Sequence, residues 1–275
     1  MESINAKEEI AKQRRYKVFK SNEIIKRAKQ DFSLNELKVL SFALSMIRRG
    51  DSADKIYSFK IADYRKLLGL SKDAKVNRNI KASLKRLRDK SFWIKKDNGE
   101  ETTASWFNKV WIDEKRGYAK VKFDEDIQGY IMGIYDDFSA WSLLYELPMA
   151  SKYSIIMYEL AQAYSFQGGH TFEIQDLKEK LGATNYTQYK DFRRRVLEVS
   201  EKEINAFTNI KISFKPIPKG NTFVKVRMIV EKRNEADIDI SEYIADNILD
   251  GQITLEDGIK EREQVEKIRK AMAGK

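Results

Sequence analysis

From His170 to Glu203 the chain reads HTFEIQDLKEKLGATNYTQYKDFRRRVLEVSEKE. Residues 171–174 alternate polar and apolar, the period of a half-buried strand. Leu177 and Leu181 then lie four apart on one helical face, with Asp176 placed as an N-cap and Gly182 as a terminator. After residues 183–188, Tyr189, Phe192, Val196 and Val199 recur at helical spacing as an apolar stripe, and Lys190, Arg193, Arg194 and Arg195 fall off it. The pattern predicts a short strand, a short helix, a turn and a longer helix that is basic on its free face, the layout of a helix-turn-helix. One such helix on its own is equally described as an amphipathic helix with a solvated charged side.

The pattern occurs twice. Residues 57–70, YSFKIADYRKLLGL, overlay residues 170–183, HTFEIQDLKEKLGA, at a constant offset of 113. Phe59 answers Phe172, Ile61 answers Ile174, Asp63 answers Asp176, Leu68 answers Leu181 and Gly69 answers Gly182. Each copy is followed by a basic helix, with Ile80, Leu84 and Leu87 matching Phe192, Val196 and Val199. Arg78, Lys81, Lys85 and Arg88 fall on one outward stripe of the first helix, and Lys75 stands just before it. A repeat of this length is too long for a solenoid unit and reads as two copies of one small domain.

Around these copies the pattern predicts helices over 21–29 and 33–49. In the second of these, Ser33 and Glu36 have the form of a capping box, and Leu34, Leu37, Leu40, Leu44 and Ile47 give an apolar face. Residues 92–96, 105–113 and 119–123 read as strands of a small antiparallel sheet, with turns at 97–99 and 115–117. Residues 124–134 read as a helix, residues 136–137 as a boundary, and residues 151–164 as a strongly patterned helix. Residues 210–214 and 223–230 form a hairpin around a rigid turn, 216–221, holding Pro216 and Pro218. The order is that of a winged helix in both halves. The fold expected is α+β: two tandem winged-helix domains related by a pseudo-twofold repeat. A polar lead-in (1–20) precedes them, the domains span 21–138 and 139–233, and a tail (234–275) holds two short helices of unassigned role.

Composition narrows the function. The chain has 275 residues, 42% hydrophobic, with 14 Phe, 13 Tyr and 4 Trp, enough for two packed cores. It has no cysteine, which removes thiolate chemistry and cysteine-ligated metals and suits a reducing cytosol. The charged N-terminus is no signal peptide, and no apolar run approaches the ~20 residues of a membrane helix. A cytoplasmic protein without a membrane partner is expected. Net charge is +10 over residues 1–139, +5 over 140–233 and −5 over 234–275. Two basic domains and an acidic tail imply a polyanion met by the domains. A single histidine, His170, cannot supply a His-x-His metal pair, and there is no phosphate-binding G-x₄-GK[ST] loop. The acidic clusters at 124–126 and 136–137 read as caps or solvated turns. No catalytic site, metal or cofactor is expected.

The stretch from Leu147 to Lys232 resembles the DNA-binding half of the iteron-binding Rep initiators of theta-replicating plasmids. The residues that carry it are LP-x₂-SKYSI-x₂-YEL from Leu147, F-x-I-x-DLKEKLG from Phe172, Y-x₂-Y-x-DFRRRVL from Tyr186 and KEIN from Lys202. The first half is similar more loosely, through Ser33-Leu-Asn-Glu36 and the segment from Phe59 to Gly69. The resemblance implies binding to directly repeated duplex sites at an origin, opening of nearby DNA, and recruitment of host initiator and helicase. It implies that the second winged helix reads the major groove, through Lys190, Arg193, Arg194 and Arg195, with Tyr186, Thr187 and Gln188 at the entering end. Arginine pairs bidentately with guanine and glutamine with adenine. Successive helix positions turn by ~100°, so all three arginines are not expected to face DNA together. Arg194 lies furthest from the Phe192–Val196 stripe and leads, while Arg193 or Arg195 is left for phosphate or for an ion pair with Glu198. Lys215 and Lys219 on the wing, like Lys75, Arg78, Lys81 and Lys85 in the first domain, are phosphate-contact positions. A winged-helix transcriptional regulator shares these features, although such a repressor usually takes its two readers from two chains.

The resemblance further implies monomers that bind repeats and dimers formed through the first winged helix. The apolar strands around Trp106-Phe107, Val110-Trp111-Ile112 and Val121-Lys122-Phe123 carry more rings than so small a sheet is expected to bury. An exposed strand edge there offers a pairing surface, with Val110 and Val121 the positions to test.

Overall fold

The computed structural model describes residues 2–27, 31–95, 99–131, 137–220 and 222–273. It divides into two compact units, one formed by described residues up to Leu143 and the other chiefly by those from Leu144 onward.

Unit 1 opens with α1 (Glu2–Arg14), β1 (Lys17–Ser21), α2 (Asn22–Arg27) and α3 (Leu34–Ser45). The lead-in is therefore a helix and a strand, and the helix expected over 21–29 is present from Asn22, since Ser21 ends the strand. Both departures have tertiary causes: Arg14 is buried and donates from Nε to the Leu67 carbonyl at 3.0 Å, and β1 pairs with β7 (Phe138–Ser142) more than 100 residues away. The capping box is present, Ser33 Oγ accepting from the Glu36 amide at 3.3 Å and Glu36 accepting from the Ser33 amide at 3.2 Å. Glu36 also accepts from Arg86 and, at 3.0 Å, from Lys90. Burial works to raise its pKa, but those hydrogen bonds outweigh it and hold the carboxyl below its usual value.

The first repeat copy follows as β2 (Ile56–Lys60), α4 (Ile61–Leu67) and α5 (Ala74–Asp89). The expected single sheet is two. β3 (Ser91–Lys95) pairs with β4 (Glu101–Ser105), while β5 (Phe107–Asp113) and β6 (Tyr118–Phe123) join β2 in the order β2-β6-β5. The chain changes sheets at Trp106. α6 (Glu125–Ile131) covers part of the expected helix at 124–134. The turn residues 97 and 98, and residues 132–136 of that helix and boundary, lie outside the described residues. The rings do not overfill the sheet: Trp106, Phe107 and Phe123 are all buried, and only Trp111 is partly open. Val121 sits on the central strand with no exposed surface, so it tests the core and not an edge. β5, with Val110, is an edge strand of this sheet, as is β2.

Unit 2 begins with α7 (Lys152–Tyr164), capped by Ser151. The second copy is β8 (Gly169–Glu173) and α8 (Ile174–Lys180), and the strand and helix bounds lie 113 residues after those of β2 and α4 at every end. Asp176 is not the cap. Strand runs directly into helix at Glu173, so Asp176, like Asp63, stands in the first turn, where a carboxylate meets the positive end of the helix dipole. A long helix over 189–207 comes next, then β9 (Ile210–Lys219) and β10 (Thr222–Lys232), giving a sheet of order β8-β10-β9. The tail forms α11 (Glu235–Leu249) and α12 (Leu255–Ala273), longer than the sequence pattern suggests. They pack on the second half of the long helix. Asp237 accepts from Arg262 at 2.6 Å, and Glu266 from Lys211 at 2.9 Å and Arg233 at 3.3 Å. Among the described residues no helix is long and apolar enough to cross a membrane.

Candidate nucleic-acid interface

Two glycines shape the scaffold under the second basic helix. Gly182 ends α8 in the left-handed region at φ 59°, as Gly69 ends α4 at φ 63°, which an L side chain resists. Gly169, at φ 117°, brings β8 so close to β10 that a Cβ would lie 2.0 Å from the Met228 carbonyl oxygen. Between α8 and the long helix, Lys178 is buried. Its ammonium donates to the Thr187 carbonyl at 3.2 Å and lies 5.5 Å from the Phe192 ring centre. Burial pushes its pKa down. Lys178 was missed from sequence although a signal existed: Ile174, Leu177, Lys178 and Leu181 share one helical stripe, and the lysine takes an inward place in it.

The entering end of the long helix is held on a second side. Tyr186 packs edge-on against Tyr153 of α7, with ring centres 6.1 Å apart, and burial together with their hydroxyl contact pushes Tyr153 up to about 12. Tyr186 is half-buried by this, while Thr187, Gln188 and Lys190 are exposed.

The helix itself is not regular. α9 (Tyr189–Phe192) and α10 (Glu198–Phe207) are joined by a π-helical turn over Arg193–Leu197. A π turn closes i→i+5 bonds, so it holds one more residue than an α turn. Phe192, Val196 and Leu197 are buried, and Arg193, Arg194 and Arg195 between them are exposed. Exposure is shared by all three, while successive positions of the turn still rotate around the helix axis. Arg193 pairs with Glu198 at 2.9 Å, one of the two pairings anticipated, and Arg194 lies 3.6 Å from Asp191. Arg195 has no ion-pair partner among the described residues.

Beside the helix stands the wing. β8 pairs only with residues 225–229 of β10, so the end of the β9–β10 ribbon projects past the sheet. Pro216 and Pro218 lie inside β9 and not in the turn, on the outer edge strand where a missing N–H costs no ladder bond. Lys215 and Lys219 are exposed on it. Residue 221 of the expected turn is outside the described residues. Phe223 reaches the Tyr189 ring, 4.9 Å between centres, and ties the wing to the first residue of the helix.

In unit 1, α5 is an ordinary α-helix whose Asp73 cap accepts from the Lys75 amide at 2.8 Å. Lys75, Arg78, Lys81, Lys85 and Arg88 are all exposed, as the stripe predicts. Much of that charge is already engaged: Lys81 meets Glu114 at 2.5 Å and Lys85 meets Asp89. Arg78 and Lys75 have no ion-pair partner among the described residues. Arg78 and Lys81 line a cleft of about 350 Å³ with Lys60, Arg65 and Arg116, opposed there by Glu114.

The family descriptions "Initiator Replication protein, WH1" and "Initiator Rep protein, WH2" match residues 17–162 and 173–230. The chain belongs to the initiator replication proteins. It is built as they are, from two tandem winged-helix domains, and its tail lies beyond both matched segments. Among solved structures it is similar to the Pi initiator protein in complex with iteron DNA, with 21% identity, a TM-score of 0.67, and coverage of 80% of this chain and 99% of that one. It also aligns with domains 2 and 3 of RctB, at 10% identity over 73% of this chain and 82% of that one, with a TM-score of 0.45.

Proposed function

We propose that this family member starts plasmid replication in the cytoplasm by binding directly repeated duplex sites, iterons, at the origin, with unit 2 as the base reader. The observation that carries the reading is that three adjacent arginines are exposed on a helix whose entering end is fixed by Lys178, Tyr153 and Phe223. Arg194 and Arg195 are the base-reading residues, Arg193 is held by Glu198, and Thr187, Gln188 and Lys190 reach the groove from the entering end. Lys215 and Lys219 on the wing contact phosphate, as do Lys75, Arg78, Lys81 and Lys85 of unit 1. The complex of the Pi initiator protein with iteron DNA supports a duplex of this kind as the ligand. Bound in tandem, the chain opens adjacent DNA and passes it to the host initiator and helicase, and a dimer formed through the β5 edge of unit 1 exchanges with the binding monomer.

Footprinting of the purified protein on DNA flanking its own gene tests the reading. Protection is expected over evenly spaced direct repeats, with affinity falling steeply as salt rises, because neutralised phosphates release counterions. Equal affinity for repeat-bearing and random duplexes at physiological salt overturns it.

A further inference from the structure

The wing carries more than lysines. Alternate residues of a strand share a face, so Lys215, Ile217 and Lys219 lie together on β9. Across the ladder Ile217 faces Lys225, and Lys215 faces Arg227. Ile217 is thus the one apolar side chain among four cations, and it is 38% exposed. Of these cations, Lys225 is paired with Glu173 at 2.8 Å. The opposite face of the same tip carries Pro216 and Pro218, the latter paired with Phe223, itself 44% exposed. Single exposed apolar residues are ordinary on a protein surface. Here Ile217 stands at the last row that β8 still covers, inside a cationic rim on one face, and Pro218 and Phe223 lie just beyond it on the free end of the ribbon, on the other face.

The two prolines stiffen the ribbon, and a register shift between Phe223 and Lys225 marks a bulge that bends it. The Phe223–Tyr189 contact fixes its offset from the helix. With that helix in the major groove, a ribbon leaving from its first residue lies over the adjoining backbone and minor groove. Apolar side chains inserted between base steps from the minor groove partly unstack them and kink the duplex. We propose that the wing tip is a minor-groove wedge, with Ile217 the residue that enters the base stack and the surrounding cations holding the two phosphate walls. The proposal rests on the reading of unit 2 as the duplex reader and adds to it a device that begins to distort the DNA on binding.

The test places 2-aminopurine, whose emission rises when it unstacks, at successive positions within and beside one repeat. Wild-type protein is expected to raise emission severalfold at one step next to the helix contact. Ile217→Ser should abolish the rise while the repeat is still bound, Ile217→Leu should keep it, and Lys215→Ala should weaken binding without removing the rise at saturation. Thermal melting of each variant at the wild-type temperature confirms the fold. Wild-type binding without any rise, or a full rise with Ile217→Ser, overturns the wedge and leaves the function reading standing. Failure of the wild type to prefer the repeat duplex removes that reading and the wedge with it.

Discussion

The two basic helices grow from the same scaffold and carry their charge differently. Up to the glycine that ends the short helix, the copies agree residue for residue at the offset of 113, in strand, helix and left-handed closure alike. Beyond it they diverge. α5 is regular and spaces its cations three or four apart, where Glu114 and Asp89 take up Lys81 and Lys85, and Glu36 takes up Arg86. The helix of unit 2 widens by one residue and presents three arginines in a row, only one of them tightly paired. A scaffold can be duplicated while its surface charge is arranged differently, with two of the α5 stripe lysines ion-paired in one copy and three exposed arginines side by side in the other.

Removing the inward anchor should break the contrast most completely. Phe192 is fully buried beneath the arginines, and Phe192→Ala should cost unit 2 about 3–5 kcal/mol in urea unfolding, from lost burial and the cavity left behind. A cost below about 1 kcal/mol would mean that the widened turn does not depend on that ring. A smaller effect is expected from Glu36, which locks α3 to the last turns of α5. Glu36→Gln should destabilise unit 1 by about 1–2 kcal/mol at neutral pH, allowing for solvent screening of the half-exposed Arg86 and Lys90. The folded carboxyl titrates below its usual value, so its contribution is present above the ordinary carboxylate range and is lost as pH falls through the depressed pKa. Wild type and variant should therefore converge in acid. A gap that stays constant with pH contradicts the ionic role.

The duplication and the two helix-turn-helix cores were legible because they depend on local period and on glycines at fixed offsets. The exposure of the α5 cations followed from 3.6-residue spacing alone. What was not legible depends on distant partners or on a broken period. β1 forms because β7 completes it, α1 is held by the Arg14 contact with Leu67, and the split of the unit 1 sheet at Trp106 has no local marker. Asp176 looked like a cap because a helix start is expected to need one, whereas here a strand runs straight in. The π turn over Arg193–Leu197 leaves the buried Phe192–Val196 spacing intact, so nothing in the local period marks it. Lys178 is a charged residue at an inward place in the Ile174–Leu181 stripe, which its charge hides.

The central claim is that unit 2 reads sequence while unit 1 holds backbone, and one salt titration tests it. Fluorescence anisotropy on a repeat duplex and a random duplex would compare wild type, Arg194→Ala, Arg195→Ala and Arg78→Ala. Arg194→Ala or Arg195→Ala should cost ~1–3 kcal/mol on the repeat and much less on random DNA. Arg78→Ala, which removes an unpaired cation of α5, should weaken both duplexes alike and lower the salt slope by ~0.9. Equal losses on both duplexes for both unit 2 variants, or a repeat-specific loss for Arg78→Ala, would contradict the account.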